Sequence, residues 1–168
     1  MNLKLDGSIL GLAGVKDMEI STFRDNEILS GISIIAVLRY VDSMELSKCM
    51  LIEPLLSYSR VVSALKRSNS SIKSIEDLII KESIVFSNFS ARFHEKVLLS
   101  MNSIILFEKL GLLKVVDNGV QFSNSNFDFA NTSLGEKAKT RIAASQKLAE
   151  ILKKGDASDF YLSLRIEI

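Results

Sequence analysis

The stretch Ser90–Phe122 constrains this chain most, because it spells a helix, a glycine stop and a tight hairpin in succession. Phe93, Val97, Met101, Ile104, Ile105 and Phe107 recur at three- and four-residue spacing, which places them on one side of a helix. Gly111 follows the last apolar turn, where a chain leaving a helix often takes a left-handed backbone that glycine adopts without strain. Leu112–Val116 and Val120–Phe122 read as two short strands around Asn118-Gly119. That dipeptide suits a type I′ turn, which needs positive φ at both central residues. The hairpin then covers about residues 112–123, and helix plus hairpin is the second half of a winged-helix unit.

The rest of the chain reads mainly as helix. Ile28–Tyr40 is apolar enough for a buried helix; its β-branched residues also suit a strand, but its length favours helix. A second helix is expected from Met44 to about Tyr58, with a kink or restart near Pro54, since proline removes a helix hydrogen bond. Arg60–Lys66 continues as a short helix. Ser74 with Asp77 resembles a capping box opening a helix from Ile75 to about Lys81. Ser123–Asn131 is loop, pinned to the core by Phe127 and Phe129. Ser133 and Glu136 have capping-box spacing and open a long helix to Lys154, stopped by Gly155. Leu134, Ala138, Ile142, Ser145, Ala149 and Leu152 form its inner stripe. Asp156 or Ser158 caps a last helix through Leu164, and the alternation Arg165-Ile166-Glu167-Ile168 allows a small closing strand.

The expected fold is therefore mainly α: a compact helical domain over 28–168 with a winged-helix-like helix and hairpin, preceded by an arm of uncertain structure over 1–27. With 168 residues, 47% hydrophobic and 24% charged, a packed core is expected and global disorder is not. Gly11, Gly14 and Lys16 invite a phosphate-loop reading, but Val15 separates the lysine from the glycine and Asp17 stands where Ser or Thr is needed. One cysteine, Cys49, excludes an intramolecular disulfide and fits a reducing compartment. Met1–Gly14 shows no secretory signal, and Ile28–Leu38 falls far short of the ~20 residues of a membrane span, so a cytoplasmic location is expected.

Catalytic equipment is sparse. His94 is the sole histidine, so any triad or histidine metal site would have to use it; beside Glu95 it reads as an exposed helix residue. Cys49 lies in the apolar run Met50-Leu51-Ile52, a setting for an inert thiol rather than a nucleophile. Glu76 and Asp77 are adjacent and diverge on a helix, and no other carboxylates pair by spacing. The expectation is a non-enzymatic chain with no cofactor and no metal.

The formal net charge of +1 is too small for a bulk nucleic-acid binder, so local clusters must carry any such claim. Arg60, Lys66, Arg67 and Lys73 have no acidic residue between them. Lys137, Lys139, Arg141, Lys147, Lys153 and Lys154 outnumber Glu136 and Glu150. Arg60, Lys66, Arg67, Lys73, Lys137 and Arg141 are therefore the candidate phosphate contacts, set against the plainer reading of a solvated helix face. Direct base reading is weaker. Along the organising helix only Arg92, Lys96, Asn102 and Lys109 are of base-reading type. That helix reads as the central core element, and the apolar content of 28–40, 44–58 and 93–110 points towards protein partners.

The order of features resembles the small middle component of bacterial ABC-ATPase three-component conflict systems, the Lamassu-like group. The residues that carry the likeness are Pro54-Leu55-Leu56 with Arg60 and Leu65; Phe93 with Leu110-Gly111-Leu112-Leu113; Asn118-Gly119; and Lys154-Gly155-Asp156 with Tyr161 and Leu164. They span roughly 28–168. Where the pattern has a histidine and a second proline, this chain has Tyr58 and Ser59. The resemblance implies a non-enzymatic adaptor that joins an SMC-like ABC ATPase of long coiled coils to an effector, commonly a nuclease, against phage or plasmid DNA. Duplex DNA is then a partner within the complex, a membrane is not, and no catalytic residue carries over. The other reading is a stand-alone winged-helix DNA-binding regulator.

Overall fold

The computed structural model of the chain describes residues 27–167 apart from 68, 70, 124 and 125. The expected 1–27 arm thus lies outside the described residues except for Glu27. The elements in order are α1 (Leu29–Leu38), β1 (Met44–Glu45), α2 (Leu46–Leu56), α3 (Ser59–Lys66), α4 (Ile75–Lys81), α5 (Ser83–Phe86), α6 (Phe89–Lys109), β2 (Leu113–Val116), β3 (Gly119–Phe122), a 3-10 turn (Thr132–Leu134), α7 (Gly135–Leu152) and α8 (Ala157–Ser163). The architecture is mainly α with a small antiparallel sheet, as expected.

The centre of the core is α1 rather than α6. Every residue from Ser30 to Leu38 is buried, and α1 packs on α2, α6 and α7. A helix that is apolar all round has no solvent face and must be enclosed. Of its two buried serines, Ser33 is accommodated locally, its Oγ donating to the Leu29 carbonyl at 2.7 Å, while the Ser30 hydroxyl has no hydrogen-bond partner among the described residues. The same back-bonding lets Ser103 sit buried in α6, donating to the Leu99 carbonyl at 2.7 Å, and Ser145 in α7, donating to Ile142 at 2.6 Å. Gly31 permits the closest approach in the core. A Cβ there would stand inside the Phe107 ring, so glycine is what lets α6 press its terminal aromatic onto α1.

Pro54 falls in the last turn of α2, which ends at Leu56; the chain restarts as α3 at Ser59. Ser74 and Asp77 form the expected capping box. Gly111 has φ +71 and closes α6 in a Schellman arrangement, with the Gly111 N–H on the Glu108 carbonyl and the Leu112 N–H on the Phe107 carbonyl, both at 2.9 Å. Phe127 and Phe129 do pack against the core, the Phe129 ring lying 5.7 Å from that of Phe122.

Five expectations are corrected. Met44 and Glu45 begin no helix; they form β1, the third strand, pairing with Val120 and Gly119. The sheet order is β1-β3-β2, with β1 entering after α1 and the hairpin after α6, an order like that of a winged-helix unit. The hairpin turn is Asp117-Asn118, closed by the Val116–Gly119 pair, and only Asp117 has positive φ, at 53°. Gly119 instead sits in β3, where Ser43 Oγ lies 2.5 Å from the position a Cβ would take. Ser133 belongs to the 3-10 turn, which Asn131 caps, and α7 begins at Gly135. Asp156 stands at the N-cap of α8 without a side-chain bond. The residues 165–167 form no strand. Arg165 takes φ 53° and caps α8, with the Ile166 N–H on the Tyr161 carbonyl at 2.9 Å; Ile168 lies outside the described residues.

Replacing Gly31 with alanine should overpack the α1–α6 contact and destabilise the fold by about 1–3 kcal/mol. A urea-unfolding midpoint reports it, and Phe107→Leu in the same chain should restore part of the loss.

Candidate functional site

Two surfaces follow from how α6 is placed. The first is a groove of about 410 Å³ where α1, α2, α3, α6 and α7 meet. Five cations line it, namely Lys66 from α3, Arg92 and Lys96 from α6, and Lys137 and Arg141 from α7. The single carboxylate there is Glu53. Ser59 and Ser63 add hydroxyls from α3, and Leu29, Leu56 and Val62 form an apolar floor. The four-residue steps Arg92–Lys96 and Lys137–Arg141 put each pair on one helix face.

These cations differ in what they already hold. The Arg141 guanidinium is committed: it donates to Glu53 Oε2 at 2.7 Å and to Ser33 Oγ at 3.2 Å. The side chains are 12% and 4% exposed, so this is a buried pair. It ties α7 to α2 and α1. Arg92 stacks over the Tyr58 ring at 3.8 Å, and its buried Nε meets no hydrogen-bond partner among the described residues. Lys66, Lys96 and Lys137 form no ion pair among the described residues. The groove therefore keeps an excess of positive charge after Glu53 is matched.

Of the six candidate phosphate contacts, three line this groove: Lys66, Lys137 and Arg141. Arg60 instead pairs with Glu82 at 3.1 Å. Arg67 is exposed just beyond α3. Lys73 is exposed as well, with its carbonyl accepting from Lys154 Nζ at 3.3 Å. The sequence clusters thus meet only in part. Arg92 and Lys96 complete the groove; sequence reasoning weighed them solely as base readers, and their four-residue step beside the apolar stripe was the available signal.

The second surface is the outward face of α6. Leu98, Met101 and Ile105 are 65%, 47% and 49% exposed. Met101 and Ile105 were expected on the inner stripe; Phe93, Ile104 and Phe107 are what α6 buries there. The steps of three and four residues align Leu98, Met101 and Ile105 along one line, the spacing of a coiled-coil seam. His94 is exposed four residues before Leu98, its ring edge-on to Phe93 at 5.5 Å. Elsewhere Ile80, Ile84 and Leu162 are exposed on α4, α5 and α8.

Other reactive groups are embedded in structure. Burial pushes the Cys49 thiol up to about 12, which suppresses its thiolate. Tyr161 packs edge-on to Phe93 at 5.4 Å and donates to the Ser47 carbonyl at 2.9 Å. Among the described residues no group of three His, Cys, Asp or Glu could hold a metal ion, and no helix is long and apolar enough to cross a membrane. Comparisons with family models, with curated proteins and with solved structures return no match.

Removing one partner of the Glu53–Arg141 pair strands a buried charge, so Arg141→Ala should cost about 3–5 kcal/mol. The double variant Glu53→Leu/Arg141→Met should cost clearly less than Arg141→Ala alone. Denaturant unfolding of the single and double variants gives the comparison.

Proposed function

We propose that the chain is a non-enzymatic adaptor subunit of an antiphage or anti-plasmid defence complex, joining an SMC-like ABC ATPase to an effector such as a nuclease. The carrying observation is the exposed line Leu98, Met101 and Ile105 on α6. In the winged-helix arrangement this helix occupies the position that would enter a DNA groove. A base reader presents donors and acceptors there; on this helix the middle of the outward face is Leu98, Met101 and Ile105, with the exposed His94, Glu95 and Asn102 around them. Three apolar residues in line at three- and four-residue steps suit the face of a partner helix, which is what a coiled-coil ATPase supplies. The exposed Ile80 and Ile84 lie on other helices, as suits a subunit with a second partner. The residues that carry the resemblance to Lamassu-like middle components have structural roles here: Phe93 and Tyr161 pack together, and Gly111 caps α6. A stand-alone DNA-binding regulator is the weaker reading, because its reading helix would carry this apolar line.

Co-expression with the neighbouring genes and affinity purification tests the proposal. The wild-type chain should retain a coiled-coil ATPase. Leu98→Glu/Ile105→Glu should lose it while keeping an unchanged circular dichroism spectrum, and Lys139→Glu, exposed on α7, should retain it. A wild-type chain that brings down no such ATPase, or a double variant that still does, contradicts the reading.

A further inference from the structure

The groove between α3, α6 and α7 is a feature that docking through the outer face of α6 does not use. On a helix of 3.6 residues per turn, Arg92 and Lys96 lie roughly opposite Leu98, Met101 and Ile105. One helix thus separates an apolar line from a cationic cavity.

We propose that this groove binds phosphate oxyanions, presented either by a nucleic-acid backbone or by a free di- or triphosphate. Lys66, Arg92, Lys96 and Lys137 come from three different helices and converge on one cavity of about 410 Å³. Like charges gathered in one place repel, and a fold gains nothing from such convergence unless an anion neutralises it. The one carboxylate present is already bonded to Arg141. Arg92 adds to this charge: its guanidinium carbon lies 3.8 Å from the centre of the Tyr58 ring, and its buried Nε has no hydrogen-bond partner among the described residues. An arginine edge fits phosphate geometry through parallel N–H bonds. The first turn of α3 adds to this. Its N-cap, Tyr58, supplies no side-chain cap, and Ser59, the first helical residue, lines the groove. Free N–H groups at a helix N-terminus favour an anion. Ser59 and Ser63 supply hydroxyl donors alongside. The volume falls within the ~300–1,000 Å³ of small-ligand sites.

Arg141 positions this site rather than binding within it. By holding Glu53 it removes the one negative charge that would compete with a phosphate, and it fixes α7 so that Lys137 faces α6.

The test titrates the full chain at low salt with inorganic pyrophosphate and, separately, with a short fluorescent duplex oligonucleotide. Saturable binding of either probe is expected, weakened about tenfold or more in Lys96→Ala/Lys137→Ala. Both lysines are at the groove and not in the core, so a thermal melt should be unchanged. Arg60→Ala/Lys139→Ala removes the same charge elsewhere and should bind as the wild type does. Lys96→Arg/Lys137→Arg should also retain binding. Pyrophosphate binding alone assigns a free polyphosphate as the source. Duplex binding whose logarithm falls linearly with log salt, with a smaller slope in the alanine variant, assigns the backbone. Binding of neither probe, or equal binding by the groove and control variants, overturns the proposal. Since the adaptor reading is tested at Leu98 and Ile105, either can fail without the other.

Discussion

The arrangement rests on one buried ion pair. Glu53 and Arg141 meet at 2.7 Å with Ser33 alongside, so α7 is tied to α2 and α1, 88 and 108 positions earlier, through one buried charged contact. Such a pair adds little net stability over a well-packed apolar substitute, but it is costly to break. Its value is in register. Only one alignment of α7 along α1 and α2 brings the guanidinium to the carboxylate. That alignment sets where Lys137 stands relative to Arg92 and Lys96, and so whether the groove exists. The close packing of Phe107 on Gly31 does the matching task for α6.

With both constraints in place, α6 becomes a helix with separate faces. Phe93, Ile104 and Phe107 face the core. Leu98, Met101 and Ile105 face outward, and Arg92 with Lys96 line the groove. The three-stranded sheet fixes the far end of the helix. The Leu112 N–H bonds back to Phe107 while Leu113 pairs with Phe122. In many winged-helix proteins the corresponding helix meets DNA. Here its exposed line is aliphatic, which suits a protein surface; the cationic groove is displaced to the other side.

Elements with strong local signals were legible in the sequence. Gly111 at the end of α6, the Ser74–Asp77 box and the interruption after Pro54 each depend on neighbours a few residues away, and each is present. What depends on distant partners was not legible. β1 at Met44–Glu45 is two residues long, too short for a periodic pattern, and exists because β3 passes beside it. Gly119 looked like a turn residue, yet it lies in β3, paired with Glu45 of β1 and Val116 of β2. The C-terminal alternation promised a strand, but Ile166 is buried because it completes the cap of α8. For the site, the apolar count on α6 was readable while the side of each residue was not. Met101 and Ile105 fit the inner stripe by spacing alone, and six turns of helix leave room for two apolar lines. Arg141 looked like a solvated cation because Glu53 stands 88 positions away.

The central claim is that the outward line of α6 is a docking face for a helical partner. Site-specific photo-crosslinking tests it most directly. A photoreactive residue in place of Met101, at the middle of the line, is irradiated in the complex assembled from the neighbouring genes. The account predicts a covalent adduct with the coiled-coil subunit, mapped to one of its helices. Adducts arising only from a photoreactive residue at Lys114 in the hairpin, with none from position 101, would contradict it.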